Sequence, residues 1–141
     1  MANEAPLDWA LGPATIHIAS PADIVTARQE GRSLALRIGF SGSNLTVIAT
    51  AISELARNIL EDAKEGEIAV GPVQRGSRIG IVVVARDKGP GIPDIGKALM
   101  DGYSTGKGLG LGLPGAKRLM DEFDITSGPH GTVVTARKWV P

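Results

Sequence analysis

The most constraining feature of this sequence is a concentration of glycine in one stretch. Nine of the 19 glycines lie in the 27 residues from Gly89 to Gly115, without a collagen-like period. Glycine adopts backbone conformations closed to other residues and lets a ligand approach the main chain, so this stretch predicts a binding loop. A flexible linker is the alternative. The leucines that alternate with glycines over residues 108–113 disfavour it, because linkers are rich in polar residues.

The hydrophobic pattern on both sides of this stretch predicts an α+β fold. Strands are predicted over 14–19, 67–73, 78–87, 123–127 and 132–139. Helices are predicted over 21–38 with Ser20 as the N-cap, from an N-cap at Ser43 or Asn44 to about residue 63, and over 113–121. Short turns between adjacent strands require antiparallel pairs. We expect a two-layer α/β sandwich, in which a mixed, mostly antiparallel sheet is covered by helices on one face. Residues 1–13 are predicted to be an N-terminal arm and residues 14–141 a single domain.

Composition excludes several classes of protein. Fifteen basic and fifteen acidic residues give a net charge of zero, and the few aromatic residues are scattered, which argues against nucleic-acid binding. The longest strongly apolar run, residues 79–85, is too short to span a bilayer. The N-terminus lacks the basic and apolar regions of a secretory signal, and there is no cysteine. We therefore expect a cytoplasmic protein with neither a nucleic-acid nor a membrane partner.

Two polar residues lie on the flank of the second predicted helix. Glu54 and Asn58 are four residues apart, so they share one face and are interleaved with the apolar Val47 and Ala51. An amide oxygen beside a carboxylate suits a hard cation such as Mg²⁺, which keeps most of its waters and takes few protein ligands. A surface glutamate with an asparagine packed at the rim is the alternative.

A second group of residues follows the most apolar strand, 78–87. An aspartate at the end of a buried strand, here Asp87, is costly unless it meets hydrogen-bond donors. Gly89 and Gly91 come directly after it and let the backbone approach a flat ligand. The carboxylate could therefore accept a hydrogen bond from an exocyclic amine, as on adenine. An aspartate-initiated turn explains the same residues, since aspartate, glycine and proline all form turns.

A third group occupies the glycine-rich stretch itself. Glycines at 106, 108, 110 and 112 run into a helix opened by Pro114. Exposed N–H groups before a helix N-terminus form a phosphate cradle, and Lys107 adds a positive charge. A Walker A loop is excluded because Asp101 and Gly108 stand where glycine and serine or threonine are needed. The G-x-G-x-x-G pattern of dinucleotide-binding loops occurs at Gly110, Gly112 and Gly115. It does not indicate a dinucleotide site here, because no strand leads directly into it.

In their order and chemistry, the three groups resemble the GHKL ATPase superfamily, which has the Bergerat nucleotide-binding fold. The matches are Glu54-x-x-x-Asn58 to the N box, Asp87-x-Gly89-x-Gly91 to the G1 box, 106–112 to the G2 box and Gly131-Thr132 to the closing element. The resemblance covers about residues 14–139. Within the superfamily, residues 54–59, 87–94 and 112–125 are similar to bacterial stressosome serine/threonine kinases and the related anti-sigma-factor kinases.

This resemblance implies a role for each matched residue. Glu54 is implied as the general base for a partner hydroxyl, Asn58 as the Mg²⁺ ligand and Asp87 as the acceptor for the adenine amine. The implied ATP-binding residues are Asn58, Asp87, Gly89, Gly91, Ile92, Lys107, Gly108, Leu109, Gly110, Leu111, Gly112 and Thr132. The implied cofactors are ATP and Mg²⁺.

The implied activity is that of an ATP-dependent serine/threonine protein kinase and partner-switching regulator in bacterial stress signalling. It would phosphorylate STAS-domain scaffold or antagonist proteins of the stressosome and then engage an output protein, such as a phosphatase or another signalling enzyme. The alternative is a nucleotide-gated anti-sigma factor or binding module whose catalysis is incidental. Glu54 favours the kinase, because binding alone needs no base. Residues 94–105 form a short segment for this superfamily, so we expect a small ATP lid, with ATP that either binds weakly or is enclosed only against a partner.

Overall fold

A computed structural model describes residues 4–5, 13–91, 99 and 112–141. Its elements, in chain order, are β1 (Glu4–Ala5), β2 (Ala14–Ile18), α1 (Pro21–Ile38), α2 (Ser43–Ala63), β3 (Gly66–Arg75), β4 (Arg78–Asp87), α3 (Gly112–Leu119), β5 (Glu122–Gly128) and β6 (Gly131–Trp139). Every helix and strand predicted from residue 14 onward is present, with ends shifted by about two residues at most. None of the described helices combines the length and apolar character needed to cross a membrane.

The described strands form one sheet in the order β1-β3-β4-β6-β5, and β2 also pairs with β3. All pairs between these strands are antiparallel, so the α+β class is confirmed, while the expected parallel component is absent from the described strands. Part of the predicted arm joins the sheet, because Glu4 pairs with Arg75 and Ala5 pairs with Gln74. The division into arm and domain stays a prediction.

The core lies between the sheet and the helices. The apolar stripe predicted on α2 is buried, and it consists of Ile48, Ile52, Leu55 and Ile59. The stripe packs against alternate residues of β3 and β4, which lie on one face of the sheet because strand side chains alternate. On its other sides α2 contacts α1 and α3, so it is the central helix of the layer.

Both long helices begin where the sequence predicts, but their ends are stabilised differently. The Ser20 side chain makes no capping bond; instead Asp23 in the first turn of α1 accepts from the Ala19 N–H at 2.9 Å and from Ser20 Oγ at 3.1 Å. The prediction that Ser43 or Asn44 caps α2 is wrong, because Gly42 occupies the cap position with φ 59°. Glycine adopts this positive φ without a steric cost.

Candidate functional site

Glu54 is a buried carboxylate in the middle of α2. Its side chain is only 7% exposed, so it is not the surface glutamate of the alternative interpretation. Arg57, one turn further along the same helix, donates from Nη1 to Glu54 Oε1 at 3.0 Å. A buried carboxylate is strongly unfavourable unless it is paired, and Arg57 supplies that pairing.

Asn58 lies one helical turn after Glu54 and is half-buried. The four-residue spacing stacks the two side chains on one face of α2. Its side-chain amide makes no hydrogen bond to the residues that the structure describes. Asn58 is only half-buried, so its amide is open to solvent, and its role as a Mg²⁺ ligand stays a prediction.

Asp87 closes β4 and is half-buried. Its Oδ1 accepts a hydrogen bond from the Gly89 N–H at 2.9 Å, so the aspartate-initiated turn weighed from the sequence is present. The turn uses one of the two oxygens. Within the described part of the chain, Oδ2 has no hydrogen-bond partner, so the turn and a ligand contact are compatible.

Thr132 lies directly across the sheet from Asp87, because β4 and β6 pair in that register. It is 4% exposed, and its hydroxyl is 2.7 Å from that of Ser127 on β5. Ser127 was not among the predicted site residues. The sequence feature that could have identified Ser127 is the short β5–β6 hairpin, which makes it the cross-strand partner of Thr132.

The glycines after β4 allow close chain-to-chain packing. A Cβ on Gly89 would lie 2.7 Å from Ala63 Cβ, and a Cβ on Gly91, where φ is +87°, would overlap the carbonyl oxygen of Gly128. The loop therefore passes between the end of α2 and the β5–β6 turn. Internal packing thus requires both glycines, and their predicted contact with adenine stays a prediction.

The contact between this loop and α2 shows how far each polar group of the helix lies from the loop. The loop touches the last turn of the helix at Asp62 and Ala63. Asn58 lies about one turn before that contact, and Glu54 lies about two turns before it. At 1.5 Å per residue, Glu54 is therefore roughly 12 Å from Asp62 along the helix axis. Partial desolvation, and then the charges of Glu61 and Asp87, raise the pKa of Asp62. This end of the site therefore favours cations and hydrogen-bond donors.

The helix predicted to follow the phosphate loop packs against α2. It begins at Gly112, where φ is +47°. Predictions for Ile92, Lys107, Gly108, Leu109, Gly110 and Leu111 fall outside the described residues, as does almost all of the expected lid over 94–105.

A cleft of about 640 Å³ overlaps the candidate site only at its Asp87 end. Its lining includes Asp87 and Lys88 and the ends of β2 and β3. Glu54, Asn58 and Thr132 do not line it. The candidate site is therefore defined by α2 and the β4 loop rather than by this cleft.

The chain matches known proteins in family, sequence and fold. Residues 18–138 match the histidine kinase-like ATPase domain family. The chain is 49% identical over 126 residues to the serine/threonine-protein kinase RsbT of Bacillus subtilis (strain 168), spanning 89% of this chain and 95% of that protein. The crystal structure of the RsbU and RsbW domains of a Mycobacterium tuberculosis protein has a similar fold, with TM-score 0.64 and 23% identity. That match covers 92% of this chain but 33% of the other.

Proposed function

Since this chain belongs to the histidine kinase-like ATPase domain family, and within it to the family of the serine/threonine-protein kinase RsbT, we propose that it phosphorylates a STAS-domain protein and then engages an output protein. Family membership makes the chain an ATP-binding serine/threonine kinase and confirms the resemblance to the GHKL superfamily. Its action by partner switching is part of the proposal. The STAS acceptor, Mg²⁺, the output protein and the roles of individual residues are the proposed part.

The observation that carries the proposal is the buried carboxylate of Glu54 beside the open amide of Asn58. Glu54 takes the proton from the acceptor serine or threonine. The hydroxyl oxygen then forms a bond to the γ-phosphorus while the bond from that phosphorus to the β,γ-bridging oxygen breaks. ADP leaves with the electron pair of that bond. Such transfers depend mainly on positioning and on neutralising charge, which suits a site with few reactive groups.

The nucleotide would lie along α2 with its base at Asp87. Asp87 Oδ2 accepts from the adenine amine, and Thr132 lies behind it on β6. Backbone N–H groups of the glycine loop that ends at Gly112 bind the phosphates, together with Lys107. Asn58 is the residue that would hold Mg²⁺, which neutralises phosphate charge when bound. The fit is chemical: an amide oxygen without a described partner suits a hard cation that needs few protein ligands.

The test is transfer of labelled phosphate from Mg·ATP to each STAS-domain protein of the same organism. We expect the wild-type chain to label at least one of them on serine or threonine. Glu54→Gln should lower the transfer rate by about 10²- to 10⁴-fold, the usual contribution of a general base. The same variant should still bind ATP and the acceptor. Glu30→Gln, at an exposed position on α1, is the matched control and should transfer normally.

Two results would contradict the proposal. One is the absence of transfer to any STAS-domain protein under conditions in which ATP and that protein both bind. The other is full activity in Glu54→Gln. Normal partner output in the catalytically inactive variant would instead favour the nucleotide-gated binding module.

A further inference from the structure

The ion pair on α2 engages one oxygen of the Glu54 carboxylate and leaves the other open. Arg57 Nη1 lies 3.0 Å from Glu54 Oε1. Among the residues that the structure describes, Glu54 Oε2 has no hydrogen-bond partner. The two oxygens of the buried group are therefore in different environments, and only one is free to accept a proton.

The exposure of the two side chains shows that this is not an ordinary surface pair. Glu54 is 7% exposed, whereas Arg57 is 36% exposed, so the arginine reaches inward from the rim of the site. Surface pairs contribute little because water competes for both charges. A pair with one buried member constrains geometry more strongly, because the carboxylate has no equally good position elsewhere.

We propose that Arg57 is a positioning residue for phosphoryl transfer. It holds Glu54 through Oε1, so the carboxylate keeps one rotamer and presents Oε2 to the acceptor hydroxyl. The planar guanidinium suits this task, since its donors keep a fixed geometry. Arg57 itself touches neither ATP nor the acceptor. The inference rests on the proposed role of Glu54 as the base.

The experiment measures kcat and KM for ATP in Arg57→Ala and Arg57→Lys, with the STAS-domain protein that accepts phosphate in the assay above. We expect Arg57→Ala to lower kcat roughly 10- to 100-fold, the range typical of a misplaced catalytic group, with KM for ATP unchanged. Arg57→Lys should recover part of the loss, because an ammonium group on a long side chain can still reach Oε1. Added guanidinium ion should raise kcat in Arg57→Ala only.

Arg28→Ala is the matched control, because Arg28 is an exposed arginine on α1 without a partner among the described residues. Its kcat should equal that of the wild type, with or without guanidinium. The double variant Glu54→Gln/Arg57→Ala should be no slower than Glu54→Gln alone, since Arg57 acts only through Glu54.

The outcomes separate this inference from the proposed function. If Glu54→Gln is fully active, Glu54 is not the general base, and the proposed role of Arg57 is then wrong as well. If Glu54→Gln is inactive but Arg57→Ala keeps kcat within about twofold, the inference alone is wrong. The inference is also wrong if two results occur together: Arg57→Ala has a lower Tm or a higher KM for ATP, and neither Arg57→Lys nor added guanidinium ion restores kcat. That pattern indicates a structural role for Arg57. Should Arg57→Ala fail to fold, Arg57→Met replaces it, because methionine keeps a long side chain but has no donor for Oε1. A lower kcat with unchanged melting and unchanged KM for ATP would support the inference, and a wild-type kcat would overturn it.

Discussion

At the scale of single residues, Asp87 shows how one side chain can have two uses. Its Oδ1 accepts from the Gly89 N–H and shapes the loop, while Oδ2 has no partner among the described residues. A variant that keeps the first oxygen and replaces the second therefore separates the structural role from the proposed recognition of adenine.

We predict that Asp87→Asn folds normally and binds ATP about 10- to 100-fold more weakly. The amide oxygen can still accept from Gly89, but the amide nitrogen cannot accept from the adenine amine, and hydrogen bonds to charged groups contribute about 1.5–3 kcal/mol. Isothermal titration gives the affinities. Purine riboside triphosphate, which lacks the amine, is the control ligand: it should bind the wild type weakly and the variant no more weakly. An unchanged ATP affinity would contradict the role of Asp87.

Gly91 gives a second prediction, which concerns stability. Gly91→Ala should lose more stability than Gly76→Ala, although both glycines have positive φ. At Gly76 the space around a Cβ is empty, so the cost is that of the backbone conformation, about 1–2 kcal/mol. At Gly91 the Cβ also meets the backbone carbonyl of Gly128, which cannot move aside cheaply. Urea unfolding measures both losses, and equal values would show that the loop relaxes freely.

At the scale of elements, a polar cluster joins the β3–β4 hairpin to the β5–β6 hairpin. Arg75 donates two hydrogen bonds to Glu122, at 2.6 and 3.1 Å, and the Trp139 indole donates to the same carboxylate at 3.2 Å. The guanidinium groups of Arg75 and Arg78 lie 4.9 and 4.6 Å from the Trp139 ring centroid. The cluster connects strands that are distant in sequence, so it contributes to tertiary stability.

This cluster predicts a pH-dependent contribution to stability. Hydrogen bonds from Arg75, and then from Trp139, hold the pKa of Glu122 below its ordinary value of 4.5. A carboxyl whose pKa is lower in the folded state stabilises the fold above the unfolded-state value, and the contribution disappears as pH falls through the folded value. Glu122→Gln should therefore be less stable than the wild type at pH 7, with the difference shrinking well below pH 4.5.

Urea unfolding at neutral and acidic pH measures this difference in the free energy of unfolding. Glu30→Gln, at an exposed position without a described partner, is the control and should show no such narrowing. A Glu122→Gln difference that stays constant with pH would show that the carboxylate charge contributes nothing.

The same elements show the reach and the limit of prediction from sequence. The apolar stripe of α2 and the apolar run of β4 are local patterns, so both elements were predicted within about two residues. The pairing of β4 with β6 joins residues far apart in the chain, and nothing in either strand specifies it. A motif names Thr132 as a site residue, but only the strand register places it directly opposite Asp87.

At the scale of the whole molecule, ATP should stabilise the fold. A ligand that binds only the folded chain adds about 2.7 kcal/mol to the free energy of unfolding at 100 times its Kd. The proposed site is assembled from α2, β4 and β6, so it exists only when the layers are packed. We expect Mg·ATP to raise Tm, and GTP, which lacks the adenine amine, to raise it less at the same concentration.

Thermal unfolding with increasing nucleotide measures this effect. The shift with ATP should be reduced in Asp87→Asn, which links it to the site rather than to general ion binding. Equal shifts for ATP and GTP, or none at millimolar Mg·ATP, would contradict the proposed nucleotide site.

The sequence by itself determined the α+β class, the order of helices and strands after the arm, and the spacing of Glu54 and Asn58. These follow from periodicity and turn chemistry, which act over a few residues. Only the tertiary structure decided that Glu54 is buried against Arg57, that Gly91 packs on Gly128, and that β1 joins the sheet. Burial, close packing and register depend on residues distant in the chain, so no local pattern contains them.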